Sequence, residues 1–68
     1  MNANDIGKRL RSMRTSKGVS RIEFASAVGV SRNAVANYEA GIRIPKDDVK
    51  VRIADYYGKD IDSIFFAR

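Results

Sequence analysis

A short segment of the sequence carries polar side chains at helical spacing. Within residues 29–41, GVSRNAVANYEAG, these are Arg32, Asn33 and Asn37. At about 100° per residue, they fall with Ala36 inside one arc of about 140°. Arginine can donate two hydrogen bonds to guanine O6 and N7, and asparagine can pair with adenine N6 and N7. The chemistry that this face offers is therefore hydrogen bonding to the edges of bases.

The composition of this face is unusual for a solvated helix. Asparagine is a poor helix former, yet two asparagines lie where Glu, Lys or Gln would stabilise an exposed helix more. The opposite face carries Ala34, Val35 and Tyr38, which suits packing against a scaffold. Small residues on the polar face, Ala36 and Ala40, allow the backbone to approach a surface closely. We interpret this face as a reader of base edges in preference to an ordinary solvated surface.

Five short helical segments are predicted along the chain. Apolar residues recur at helical spacing, capping residues precede the segments and glycines follow them. Ser20 and Glu23 form a capping box before the second segment, and Asp60 is expected to cap the last. The predicted helices cover about residues 4–17, 21–28, 32–40 and 47–57, and a last short helix after Asp60 has Ile61, Ile64 and Phe65 pointing inward. Since no segment shows sustained strand-type alternation, the sequence predicts an all-α fold.

The second and third segments are joined by only about three residues around Gly29. Glycine can adopt positive φ at such a corner without steric cost, and Ala25 is small enough for two helices to approach closely. Helix, tight turn and helix together describe a helix-turn-helix at about residues 20–40. The apolar members expected in its first helix are Ile22, Phe24, Ala25 and Val28.

Composition restricts the class of protein. The 68 residues are expected to form a single domain, 1–68. The formal net charge is +5, with +6 in residues 1–46 (nine Lys and Arg, three acids) and −1 in residues 47–68 (four and five). A one-sided positive field favours a polyanion, either nucleic acid or an anionic membrane surface. No apolar run approaches the roughly 20 residues that span a bilayer, so we expect no membrane partner and a cytoplasmic location.

Catalysis has little support in the composition. The chain has no histidine and no cysteine, so the usual general base, nucleophile activation and transition-metal ligands are missing. Asp60 and Asp62 lie at the head of a predicted helix, where capping explains them. We expect no enzyme, no metal, no cofactor and no small-molecule ligand.

Residues 20–45, SRIEFASAVGVSRNAVANYEAGIRIP, resemble the helix-turn-helix of the phage-repressor family of the Cro and CI type. The likeness extends over about residues 6–65 and implies a lambda-repressor-like bundle of about five helices that binds DNA. The residues that match the family pattern are Ser20, Phe24 at a leucine position, Ala25, Gly29, Val30, Ser31, Val35, Glu39, Gly41 and Pro45.

The resemblance assigns roles to individual positions. Arg21 stands where the family often has a glutamine, and an arginine there can still bind phosphate. The base-reading positions that the resemblance implies are Arg32, Asn33, Ala36 and Asn37. The implied phosphate contacts are Arg21, Ser31, Arg43 and Lys46.

Two further features follow from the resemblance. Arg14 and Glu39 are expected to form an ion pair between the first helix and the end of the third, the alternative being two separate surface charges worth little each. Phe65 and Phe66 are adjacent in sequence, so both cannot enter the same core. Because the family commonly dimerises through this end of the domain, these two phenylalanines are the candidates for a dimer interface, with terminal fraying as the alternative.

The leading interpretation is a homodimeric transcriptional regulator, a repressor by resemblance, that binds double-stranded DNA at a roughly palindromic operator. A second interpretation is an antitoxin or adaptor that uses the same scaffold to bind a protein. A third is binding to RNA or single strands, which would require aromatic side chains on the basic face. The spacing of Tyr38, Tyr56 and Tyr57 favours packing instead.

Overall fold

The computed structural model describes residues 2–66, and these residues fold into five helices with no strand among them. The helices are α1 (Ala3–Lys17), α2 (Arg21–Val28), α3 (Arg32–Glu39), α4 (Asp47–Tyr57) and α5 (Ile61–Phe65). Each agrees with its predicted segment to within one residue at either end. The all-α prediction is confirmed.

Local capping chemistry sets where α2 and α3 begin. The Ser20 hydroxyl accepts a hydrogen bond from the Glu23 N–H at 3.1 Å, and the Glu23 carboxylate accepts one from the Ser20 N–H at 3.3 Å. This is the predicted capping box. The Ser31 hydroxyl accepts from the Ala34 N–H at 3.0 Å and caps α3. Between the two helices, Gly29 takes φ 73°, which lets the chain turn within three residues.

The expectation for Asp60 was wrong in its detail. Asp60 is the residue before α5, but its side chain accepts no capping hydrogen bond. Its backbone carbonyl accepts from the Ser63 hydroxyl at 2.8 Å instead. The start of α5 is therefore stabilised by Ser63 reaching back to the backbone.

One core holds the five helices together. Ile22, named from the sequence only as an apolar member of the second helix, lies outside it and is 65% exposed. Around α2, the buried Phe24, Ala25 and Val28 lie within an arc of about 100°, and Ile22 lies about 60° beyond its edge. The buried hydrophobic residues are Ile6, Leu10, Phe24, Ala25, Val28, Ala34, Val35, Tyr38, Val49, Ile53, Ala54, Ile64 and Phe65.

The close crossing of α1 over α3 depends on Gly7. A Cβ atom added to Gly7 would collide with the Tyr38 carbonyl oxygen and would lie 2.8 Å from that of Glu39. The backbone of α1 therefore rests directly on the last turn of α3. No hydrophobic periodicity marks this position, and the sequence analysis did not identify it.

Aromatic side chains close the core between α2 and α4. The Phe24 ring centroid lies 5.5 Å from that of Tyr56 and 5.9 Å from that of Tyr57. The Tyr57 hydroxyl is buried with no hydrogen-bond partner among residues 2–66, and this burial raises the pKa of Tyr57 to about 12. The tyrosines therefore serve packing, as their spacing predicted.

Within residues 2–66, no helix combines the length and apolar character needed to cross a bilayer.

Candidate nucleic-acid interface

The helix α3 has two chemically distinct faces. Val35 and Tyr38 are 1% and 4% exposed and pack into the core. Arg32 and Asn33 are exposed, and Asn37 is half-buried on the same side. Within residues 2–66, no hydrogen bond joins these three side chains to the rest of the protein, so the polar face of α3 is not used to hold the fold. It is available for an external partner.

The small residue on this face lies between the polar ones. Ala36 is half-buried, with Asn33 one turn before it and Asn37 next to it. A short side chain here lets the helix backbone approach a surface while the arginine and asparagines extend further. This is the arrangement that base readout by an α-helix requires.

The ion pair expected between Arg14 and Glu39 is present. Arg14 Nε donates to Glu39 Oε2 at 2.7 Å, and Arg14 Nη2 donates to Oε1 at 3.2 Å. The Glu39 side chain is 2% exposed and that of Arg14 11%. Arg14 Nη1 also donates to the Val19 carbonyl at 2.9 Å. The pair therefore fixes the C-terminal end of α3 to both α1 and the connection that leads into α2.

Arg21 also contacts the Glu39 carboxylate. This contact was not predicted from the sequence. Arg21 Nε donates to Glu39 Oε1 at 3.1 Å, and the Arg21 side chain remains 38% exposed. The bond uses Nε alone among the donors of the guanidinium, so the two terminal amino groups stay available for another acceptor. Glu39 thereby holds Arg21, a predicted phosphate-binding residue, in a fixed orientation.

The electrostatics of Glu39 follow from this double contact. Burial raises the pKa of Glu39, but the hydrogen bonds and positive charges of Arg14 and Arg21 together lower it by more, so the pKa of Glu39 lies below its ordinary value. The hydrogen bond to Glu39 likewise raises the pKa of Arg14. Two cations against one anion leave this end of the site with a net positive charge.

A basic concavity connects the starts of α2 and α3. It has a volume of about 310 Å³ and lies beside the polar face of α3, because Arg32 is both the first residue of that helix and part of the concavity wall. Its other lining residues come from α1 and from the first turn of α2. The lining residues are Arg14, Ser20, Arg21, Ile22 and Arg32.

The other predicted phosphate contacts flank α3. Ser31 is exposed at its N-terminus, where its hydroxyl oxygen already accepts the capping bond and its hydroxyl proton can still be donated. Arg43 and Lys46 are exposed in the loop after α3. The N–H groups of Ile42 and Arg43 donate to the Asn37 carbonyl at 3.0 and 3.3 Å, which anchors this loop to the end of the helix.

The two phenylalanines at the end of α5 separate as their adjacency requires. Phe65 is 1% exposed and belongs to the core, so its inclusion as an interface candidate is corrected: a buried ring offers no surface to a partner. Phe66 is 58% exposed. The Lys50 ammonium lies 5.8 and 5.1 Å from the centroids of the Phe65 and Phe66 rings. Of the two phenylalanines, Phe66 alone remains a candidate for an interface.

The acidic residues do not assemble into a metal site. Across residues 2–66, no three His, Cys, Asp or Glu side chains lie close enough to hold a metal ion together. The side chains that come together at the basic concavity are instead arginines, whose guanidinium groups can bind phosphate and base edges.

Comparison with known proteins places this geometry in a family. The chain is 30% identical over 56 residues to the cryptic phage CTXphi transcriptional repressor RstR of Vibrio cholerae, covering 82% of the chain and 50% of the relative. It is 30% identical over 57 residues to the HTH-type transcriptional regulator ImmR of Bacillus subtilis, covering 84% and 45%. The antitoxin PezA of Streptococcus pneumoniae is 44% identical over 36 residues, covering 53% and 23%.

The chain therefore spans half or less of the length of these relatives. No solved structure matches it significantly. The helix-turn-helix family HTH_3 matches residues 10–64, which include most of α1 and reach into α5. The resemblance seen in the sequence is confirmed, and the chain belongs to this helix-turn-helix family.

Proposed function

We propose that this chain binds double-stranded DNA sequence-specifically and regulates transcription, with α3 inserted in the major groove. The observation that carries the proposal is the division of α3 into a buried face and a free polar face. Arg32 and Asn33 are exposed on the free face, while Val35 and Tyr38 fix the helix from behind. An α-helix fits the major groove, and residues near its N-terminus lie closest to the bases.

Phosphate contacts would supply affinity and orientation on either side of α3. Ser31 lies at its N-terminal end, and Arg21 contacts Glu39 at its last residue. Arg43 and Lys46 lie in the loop beyond its C-terminal end. Side chains at both ends can hold the DNA backbone while the helix face meets the bases. A repressive action is supported by the printed description of the relative RstR as a transcriptional repressor.

The proposal includes a homodimer. Two copies related by a twofold axis would place two α3 helices in successive major grooves, about 34 Å apart, on a roughly palindromic operator. Phe66 supports an interface at the α5 end, because burial of an exposed phenylalanine by a partner makes association more favourable. Sedimentation equilibrium of the wild type and of Phe66→Ala tests this, and identical association constants would remove Phe66 from the interface.

A cytoplasmic location belongs to the same proposal, since a chain without cysteine fits a reducing compartment in which DNA is accessible. The function is one of binding, with no chemical step assigned to any residue.

Selection of bound sites from a random duplex pool is the direct test of function. We expect an enriched motif with two inverted half-sites separated by about one helical turn. Failure to enrich any motif, together with binding that does not depend on salt, would overturn the proposal. An enriched motif without symmetry would retain DNA binding and exclude the homodimer on a palindrome.

A protein-binding module is the second candidate, and the likeness to the antitoxin PezA favours it. The polar face of α3 would then be incidental to function. The two candidates differ in a simple titration: a DNA-binding protein must lose affinity for random duplex as salt rises, since each phosphate contact releases counterions. A protein-binding module has no such requirement.

A further inference from the structure

Ile22 is a large apolar side chain in an unusual place. It is 65% exposed, although it lies in the first turn of α2 within a folded helix-turn-helix. The capping box between Ser20 and Glu23 fixes the backbone of this turn. The side chain is therefore presented to solvent from a rigid element.

The surroundings of Ile22 are cationic. It lines the basic concavity of about 310 Å³ together with Arg21, Arg32 and Arg14. Arg21 is held by Glu39 at 3.1 Å, so one of the arginines that line the concavity has a fixed position. Arg32, which also lines it, is the first residue of α3. The isoleucine thus shares one concavity with a side chain suited to phosphate and a side chain suited to bases.

This combination restricts what can cover the isoleucine. Three arginines against the single carboxylate of Glu39 leave a net positive charge, which attracts a polyanion and disfavours an apolar or basic protein surface. Duplex DNA is a polyanion that carries one exposed apolar group in its major groove, the C5-methyl of thymine, which apolar side chains contact. The other exposed isoleucines, Ile42 and Ile44, lie in the loop after α3 and do not line the concavity.

We propose that Ile22 reads a thymine by contact with its C5-methyl group in the major groove, beside the base met by Arg32. The inference rests on the proposed binding to double-stranded DNA and adds a specificity-determining residue outside α3. Shielding one methyl group from water contributes an amount comparable to one buried CH₂. Removal of the thymine methyl group is therefore expected to weaken binding about fourfold, which corresponds to about 0.8 kcal/mol.

Deoxyuridine provides the test, because it keeps the hydrogen bonds of thymine and lacks only the methyl group. Each thymine of the selected duplex is replaced in turn, and the dissociation constant is measured by fluorescence anisotropy. We expect one position per half-site at which the wild type loses about fourfold in affinity. In Ile22→Ala, the same replacement should cost nothing, because the group that contacts the methyl is gone.

Ile42→Ala is the matched control, since it removes an equally apolar and even more exposed isoleucine, at 75%, from outside the concavity. It should keep the full cost of the deoxyuridine replacement. Ile22→Val should keep part of that cost. Circular dichroism of each variant establishes that the helices are intact.

The results separate this inference from the proposed function. If the wild type binds the selected duplex but no thymine shows a methyl dependence, or if the dependence persists in Ile22→Ala, then the role of Ile22 is wrong and DNA binding stands. If the wild type binds no duplex, the proposed function fails and the role of Ile22 fails with it.

Discussion

Arg14 donates hydrogen bonds to both carboxylate oxygens of Glu39, at 2.7 and 3.2 Å, and so fastens α1 to the last residue of α3. The Glu39 side chain is 2% exposed, which means that this carboxylate is shielded from water. Arg21 approaches the same carboxylate from α2 at 3.1 Å. One buried anion therefore connects three helices and determines how α3 is presented.

Glu39→Gln should destabilise the fold. The substitution keeps the size of the side chain but leaves Arg14, whose side chain is 11% exposed, without its anion. Breaking a buried ion pair from one side costs about 3 kcal/mol. Urea denaturation followed by circular dichroism measures the free energy of unfolding. Asp55→Asn, a change of the same charge at an exposed residue, should shift it by less than about 0.5 kcal/mol. Equal effects of the two substitutions would mean that the ion pair contributes nothing to stability.

The contribution of Glu39 should depend on pH in the acid range. Its pKa in the folded state lies below the ordinary value of 4.5, because the hydrogen bonds and positive charges of Arg14 and Arg21 together outweigh burial. A lowered folded-state pKa gives stability that is complete above the unfolded-state pKa and is lost as the pH falls through the folded-state pKa. The difference in unfolding free energy between wild type and Glu39→Gln should be constant at neutral pH and decrease below about pH 4.5. A difference that grows on acidification would contradict this linkage.

Gly7→Ala should destabilise the protein although alanine is the better helix former by about 1 kcal/mol. The new methyl group would collide with the Tyr38 carbonyl oxygen and lie 2.8 Å from the Glu39 carbonyl oxygen, and these backbone atoms cannot move aside independently. Overpacking of this kind costs about 1–3 kcal/mol. Ser16→Ala, at an exposed position of the same helix, should change the unfolding free energy by less than about 0.5 kcal/mol. An increase in the urea midpoint of Gly7→Ala would show that α1 and α3 do not pack this closely.

Local rules predicted the helices well because capping and glycine turns act within a few residues. The Ser20 capping box and the Gly29 corner are both present as expected. Among the features that depend on how helices meet, the Arg14–Glu39 ion pair was expected from the family resemblance, but three others were not predicted. Gly7 has no periodic signature, and Ile22 has the residue type of a core position but lies outside the buried arc of α2. The bond from Arg21 to Glu39 joins residues 18 positions apart, and only the folded structure shows that these residues are in contact.

Asn33→Ala should weaken binding to the selected duplex by about 1–3 kcal/mol and leave binding to random duplex nearly unchanged. Asn33 is exposed on the free face of α3, and its side chain makes no hydrogen bond to the other residues that the structure describes, so the fold does not depend on it. Its amide can pair with adenine, which discriminates sequence, whereas phosphate contacts do not. Parallel titrations with the two duplexes measure the ratio of affinities. An equal loss on both would show that Asn33 does not read a base.

Arg43→Ala should weaken binding to both duplexes and reduce the dependence on salt. Arg43 is exposed in the loop that follows α3, and its N–H group holds this loop to the Asn37 carbonyl at 3.3 Å, so the backbone anchor survives the substitution. The plot of log K against log salt concentration has a negative slope, and loss of one phosphate contact makes that slope less steep by about one. Lys59→Ala removes the same charge from a residue that lines a different concavity, with Lys17 and Tyr57, and should leave the slope unchanged. Equal slopes for the two variants would mean that net charge, and not a contact at Arg43, accounts for the attraction to DNA.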